Sequence, residues 1–215
     1  MGDPQLRNGI TLTPLPKRQG GSFPLTKPVT NAILCRKGGE KMKVRNMALC
    51  GLFTAVLAVC AWLSIPMGDM VITLQTFGVF LTLGLLGGKR GSIAILVYLL
   101  LGAVGAPVFS GFRGGLGALL DTTGGYIFGF MLTSLIYWLI TAVKDTPFTR
   151  LIAMVLGIAL CYICGSWWYM TRFLSAGSVT LSMVLLKCVL PYLIPDALKL
   201  ALAWFLTGRL KRFVY

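Results

Sequence analysis

The chain has 215 residues, of which 56% are hydrophobic and 12% are charged, and its mean hydropathy of +0.82 is typical of a membrane protein. Its 20 Lys and Arg residues outnumber its 6 Asp and Glu residues, but nine of the basic residues precede Asn46 and most others flank apolar runs, so the charge does not indicate a nucleic-acid site. The absence of histidine, with Glu40 as the only glutamate, excludes Ser-His-Asp triads, histidine-ligated zinc and HExxH metalloproteases.

The first part of the chain, residues 1–41, differs from the rest. It is rich in Pro, Gly, Thr and Lys, and it has neither a sustained apolar period nor the apolar core of a signal peptide. We expect a disordered, cytoplasmic N-terminal extension that need not be native, with Met42 as a candidate natural start. Residues 42–215 are then expected to form a membrane domain that binds a substrate.

Six apolar runs follow, separated by short breaks. A helix needs roughly 20 residues to span the bilayer core, with about 17 as a lower limit, so the shorter runs allow tilt or partial spanning. The runs are continuously apolar rather than alternating, which favours helices over a β-barrel. We therefore predict an all-α, polytopic membrane protein with six transmembrane helices, at about 46–65, 71–88, 91–108, 123–143, 148–170 and 195–210.

The placement of lysine and arginine predicts the orientation of these helices. Most basic residues lie at run ends that share one side, which the positive-inside rule assigns to the cytoplasm. An even number of spans then places both termini in the cytoplasm. The outer segments carry only Arg113, Arg172 and Lys187. The cytoplasmic set is Lys43, Arg45, Lys89, Arg90, Lys144, Arg150, Arg209, Lys211 and Arg212.

A glycine-rich outer segment joins the third and fourth runs. Residues 109–125 read FSGFRGGLGALLDTTGG, which is too flexible for a plain helix and too apolar for an ordinary loop. One interpretation is a re-entrant turn in which glycine allows close packing. The other is a lid over a pocket, and Arg113 in the middle of the segment favours it.

The last run carries an acid and a base. Asp196 and Lys199 are three residues apart and therefore share one face of a helix. Since Pro195 suits a first turn, we expect both side chains near the outer end of this helix. One interpretation is a salt bridge at the interface, and the other is a ligand site, because ionisable groups in membranes are usually functional. An acceptor beside a donor suits a cyclic urea or amide, which offers N–H groups next to a carbonyl.

Four further residues complete the predicted site. Arg113 is suited to hold a carboxylate. Gln75 carries a donor and an acceptor, although packing or capping explains it equally well. Tyr126 and Trp168 lie at outer helix ends, where aromatic belts place such residues in any case. Together with Asp196 and Lys199, they describe an apolar slot with a few polar anchors.

Gly51 and Ala55 lie towards the cytoplasmic end of the first run, and they form a small-xxx-small pattern that lets another helix approach closely. Docking of a partner and packing within this chain both explain the pattern. The sequence contains no GxxxxGK[ST] motif, so the chain has no P-loop of its own for ATP.

Three segments resemble one known family. The stretches SIPMGDMVITLQTFGVFLTLGLLG, GAPVFSGFRGGLGALLDTTGGYIFGF and LPYLIPDALKLALAWFL are similar to the BioY family of biotin-binding S components of energy-coupling factor (ECF) transporters. The resemblance covers roughly 46–212 and implies six helices with a vitamin pocket on the outer side. It implies that Asp196 and Lys199 meet the ureido ring of biotin and that Arg113 holds the carboxylate, with the other three residues lining the slot.

The chain departs from the family pattern at two places. Asp121 stands where the family has glycine, and Ser110 and Gly111 stand where an asparagine is expected. These differences concern how the ureido ring and the tail are recognised. Residues 1–41 match nothing in the family.

We therefore expect a biotin-capture subunit in the bacterial plasma membrane that is not an enzyme and holds no cofactor. The resemblance implies a transmembrane coupling subunit and two ATPase subunits as partners, which supply energy from ATP, with Gly51 and Ala55 as a docking surface. The alternative is a self-sufficient, proton-coupled secondary transporter that uses Asp196. An intramembrane enzyme and a scaffold without a ligand are weaker alternatives, the first because histidine is absent and acids are few.

Overall fold

The computed structural model of the chain describes residues 27–67, 70–173 and 181–214. The chain divides into two compact units, residues 1–41 and 42–215, and the packing and the site described below belong to the second. Helix α1 spans Lys27–Trp62, and its portion Lys43–Trp62 is long and apolar enough to cross a membrane. The helix thus begins within the segment expected to be disordered. Residues 1–26 lie outside the described residues, and the native status of the extension stays a prediction.

A short β-hairpin follows α1. Strand β1, Ser64–Met67, pairs antiparallel with β2, Met70–Thr73. The sequence prediction assigned 71–73 to a helix, which is wrong. Three consecutive β-branched residues (Val71, Ile72 and Thr73) suit a strand better than a helix, which explains the difference.

Helix α2, Gln75–Val104, folds back on itself at Gly87, whose φ of 78° and ψ of 173° are not helical. The side-chain amide of Gln75 lies 2.9 Å from the hydroxyl of Tyr98, whereas a straight helix would separate residues 23 positions apart by about 35 Å. The element is therefore a pair of antiparallel helical arms, 75–86 and 88–104. The predicted break between 88 and 91 lies at this turn.

Five further helices complete the described part of the unit. Helix α6 was not predicted. Helix α7 begins five residues before the predicted position, so Pro195 lies inside it rather than in its first turn. The bounds are α3 Leu116–Leu120, α4 Gly124–Val143, α5 Pro147–Phe173, α6 Leu181–Cys188 and α7 Leu190–Val214.

Glycines let α4 and α5 cross closely. A Cβ on Gly125 would lie 2.2 Å from Cβ of Trp168, and one on Gly129 would lie 2.7 Å from Sγ of Cys161. The two helices therefore pack with little space between their backbones, as small residues permit in membrane bundles. Helix α2 packs against α4 and α7, and the core includes the fully buried Leu57.

The outer surface of the bundle is apolar. Large hydrophobic side chains such as Leu52, Leu139 and Leu198 are well exposed. Among the described residues, five helices are long and apolar enough to cross a membrane: α1 from Lys43, α2, α4, α5 and α7. A mostly helical, multi-pass membrane protein is thus confirmed at this level.

Candidate functional site

A cavity lies among β2, the first arm of α2, the segment between α2 and α4 that includes α3, and helices α4, α5 and α7. Its empty volume is about 840 Å³, including the part that opens to solvent. Most of its wall is apolar, and its charged side chains fall into two groups, Asp196 with Lys199 on α7 and Arg113 on the loop, which we call the two ends of the site. The lining residues are Val71, Thr73, Gln75, Thr76, Phe109, Ser110, Arg113, Ala118, Thr123, Tyr126, Ile127, Phe130, Ile158, Cys161, Tyr162, Tyr192, Asp196 and Lys199.

At the first end, the carboxylate of Asp196 is buried and held by three donors. Oδ1 accepts from Oγ1 of Thr76 at 2.9 Å and from Nζ of Lys199 at 2.8 Å. Oδ2 accepts from the hydroxyl of Tyr162 at 2.6 Å. Since a carboxylate has about four acceptor sites, this network fixes the group and retains capacity for one more donor. We call these four residues the acid–base cluster.

Lys199 joins the two sides of the cavity. Its Nζ donates to the backbone oxygen of Thr73 at 2.7 Å, as well as to Asp196. The side chain is only 13% exposed, so the ammonium is largely withdrawn from water. The salt bridge that the sequence allowed is therefore present, and it lies on the cavity wall rather than facing lipid.

Gln75 connects the two arms of α2 to the loop. Its Nε2 donates to the hydroxyl of Tyr98, which in turn donates to the backbone oxygen of Val108 at 3.0 Å. The residue is 5% exposed and lines the cavity, so the ligand interpretation and the packing interpretation both retain a structural basis.

At the other end, Arg113 projects from the loop between α2 and α4. Its Nη1 donates to Oδ2 of Asp121 in an ion pair, and its Nε donates to the backbone oxygen of Ser110 at 3.3 Å. The side chain of Arg113 is 46% exposed, in contrast to the buried acid–base cluster. We call Arg113 and Asp121 the loop pair.

Aromatic residues anchor this loop. The ring of Phe109 packs edge-on against Tyr98, with ring centres 5.5 Å apart, and fills the space above Gly102. Phe112 stacks on Trp62 at 4.9 Å and adopts a φ of 58°, a left-handed conformation that costs free energy for a non-glycine residue. These contacts hold the loop in a fixed position beside the cavity.

Tyr126 and Trp168 have different positions. Tyr126 lines the cavity, and its ring lies against Gly165, where a Cβ would meet Cε1 at 2.4 Å. Trp168 lies outside the lining residues. Its Nε1 donates to the backbone oxygen of Asp121 at 3.0 Å, and the guanidinium of Arg172 lies 5.2 Å from its ring centre.

Gly51 and Ala55 are exposed on α1, away from the cavity. A Cβ on Gly51 would meet nothing within 4 Å, so packing within the described part of this chain does not account for the glycine. Their role as a docking surface stays a prediction.

The sequence analysis missed Thr76 and Tyr162. Thr76 directly follows Gln75, a predicted site residue, and this adjacency could have indicated it. Tyr162 is one of the few polar groups in an apolar run, but aromatic residues are common in membrane helices, and nothing local links it to Asp196.

The comparisons with known proteins agree with one another. Residues 36–215 match the model of the BioY family. The chain is 37% identical to the "Biotin transporter BioY" of Thermotoga maritima, over 79% of this chain and 97% of that protein, and 36% identical to the "Probable biotin transporter BioY" of Pyrococcus horikoshii, over 79% and 98%. Its fold is similar to the crystal structure of the S component for biotin from an ECF-type ABC transporter, with a TM-score of 0.71 and 27% identity over 80% of this chain and 93% of that one.

Proposed function

Because the chain belongs to the BioY family, we propose that it is the biotin-capture subunit of a vitamin uptake transporter. The observation that carries the proposal is the acid–base cluster: a buried carboxylate and an ammonium group, both on the wall of a cavity with an apolar centre. Such a pair costs free energy to bury and is commonly retained for function in membrane proteins.

The chemistry of the cluster fits the ureido ring of biotin. Asp196 accepts hydrogen bonds and has capacity for an additional N–H donor, while Lys199 donates and suits the ureido carbonyl. Thr76 and Tyr162 hold the carboxylate in one orientation, which lowers the cost of ordering the site when the ligand binds. Gln75 and Tyr126 border the ring and the apolar body of the ligand.

The loop pair fits the other end of the same ligand. Arg113, which lines the same cavity, offers a guanidinium to the carboxylate of the biotin tail. Trp168 would contribute by supporting the loop backbone at Asp121 rather than by touching the ligand.

Counted separately, the two arms of α2 bring the membrane helices to six, although the first arm, 75–86, is shorter than a full span. In this proposal both termini lie in the cytoplasm and the cavity opens on the outer side of the bacterial plasma membrane. In this arrangement the chain is not an enzyme and holds no cofactor. A coupling subunit docks against Gly51 and Ala55, and two ATPase subunits hydrolyse ATP to drive inward release.

Biotin binding to the purified full chain in detergent, without ATP or partners, tests this function. We expect saturable binding by the unmodified chain and a loss of at least about 100-fold in affinity for Asp196→Asn, since the substitution removes the charge that Lys199 and the ureido group both use. Asp145→Asn is the matched control, because Asp145 is an exposed carboxylate paired with Arg150 in another loop.

Two outcomes would contradict the proposal. A folded, monodisperse chain that binds no biotin would show that the cluster is structural or serves another solute. Biotin uptake by the chain alone in proteoliposomes, abolished by an uncoupler, would instead favour the proton-coupled transporter.

A further inference from the structure

Arg113 lines the cavity and forms an ion pair with Asp121, which lies outside the cavity lining. Two of the three guanidinium nitrogens of Arg113 already donate inside the loop, Nη1 to Asp121 and Nε to the backbone oxygen of Ser110. A carboxylate binds arginine best through two parallel N–H donors. A carboxylate on the ligand therefore either displaces Asp121 or shares the guanidinium with it, through the N–H groups that these two contacts leave.

Asp121 is held in place independently of Arg113. The backbone amide of Thr122 donates to Oδ1 at 2.7 Å, and the indole of Trp168 donates to the Asp121 backbone oxygen at 3.0 Å. The hydrogen bond from Thr122 is the main cause that lowers the pKa of Asp121, and Arg113 lowers it further. The carboxylate is thus ionised at neutral pH, and its backbone is tied to α5.

On the basis of the proposed function, we propose that Asp121 determines specificity for the tail of the ligand. Its carboxylate competes for the donors of Arg113 and repels a second negative charge brought to the same guanidinium. The site therefore gains little from a charged tail, and it accepts ligands in which an uncharged amide replaces the carboxylate. We expect the residue to act on the tail alone, because its contacts are with Arg113, Thr122 and Trp168, and none of these belongs to the acid–base cluster.

The affinities of the full chain for biotin and for biotin amide test this role. We expect Asp121→Asn to bind biotin about two- to fivefold more tightly, which is the range for one exposed ion pair, and to leave the affinity for the amide unchanged. Asp145→Asn makes the same change of charge at another arginine-paired aspartate and should alter neither affinity.

The outcomes separate this inference from the function on which it rests. If the unmodified chain binds neither ligand, the proposed function fails and this inference fails with it. If the chain binds both ligands but Asp121→Asn leaves the ratio unchanged, or shifts it towards the amide, the inference alone is overturned. Asp121→Gly is a second variant for the case of poor folding, since the backbone at Asp121, with a φ of −70°, is open to any residue.

Discussion

The two ends of the cavity are built on different plans. The acid–base cluster lies on helices, its charges are buried, and residues of α2, α5 and α7 fix its carboxylate. The loop pair lies on an irregular segment and remains 46% and 38% exposed. A buried, fully supported charge pair is costly to alter, whereas an exposed pair contributes about 0–1 kcal/mol and is readily changed. This difference suits a site in which one end defines the ligand class and the other adjusts the preference among its members.

After Asp196→Asn, the largest effect should follow from removing the base of the cluster. Lys199→Met keeps the length of the side chain but leaves the Asp196 carboxylate without its ammonium partner. We expect affinity to fall by roughly 30- to 100-fold for biotin and for biotin amide alike, because the tail is not involved. Titration calorimetry on both ligands measures this, and a loss confined to one ligand would break the division between the two ends. The thermal midpoint of the variant shows whether the fold survives.

A smaller effect should follow from Tyr162→Phe. The substitution removes one hydrogen bond to the charged Asp196 and leaves the ring in place. A hydrogen bond to a charged group contributes about 1.5–3 kcal/mol, so we expect an affinity loss on the order of tenfold for both ligands. An unchanged affinity would mean that Thr76 and Lys199 alone orient the carboxylate.

The smallest effect should follow from Arg113→Ala. We expect biotin to lose roughly fivefold or less and biotin amide to lose almost nothing, because Asp121 already offsets part of the charge of the guanidinium. Equal losses for the two ligands would rule out the role of Arg113 as a carboxylate partner. Side-by-side competition assays with the two ligands give the required ratio directly.

The sequence predicted the parts of this comparison that depend on local spacing. The three-residue spacing of Asp196 and Lys199 sufficed to place them on one face of a helix. The sequence GGKR at 87–90 sufficed to separate two helical runs, which the structure joins at Gly87. The partners of Asp196 were not predictable in this way. Thr76 and Tyr162 lie 120 and 34 positions away, and only the packing of helices brings them together.

Other differences have local causes that the sequence contained but hydropathy obscured. The prediction placed residues 71–73 of strand β2 in a helix because these residues are as apolar as those of the helix that follows. Their β-branched side chains nevertheless favour extended backbone. The family resemblance implied that Trp168 lines the slot, and in the structure the residue lies outside the cavity lining. Its contact with the backbone of Asp121 depends on how closely α4 and α5 cross.

The bond from Lys199 to the Thr73 carbonyl has a consequence for biogenesis. Its two residues are 126 positions apart, so a ribosome has synthesised most of the protein before the contact can form. The two arms of α2, in contrast, meet through a tight local turn and can pair as soon as they are made. Ligand binding should therefore arise only after the last helix has been inserted, and the vitamin itself should favour completed chains over nascent ones.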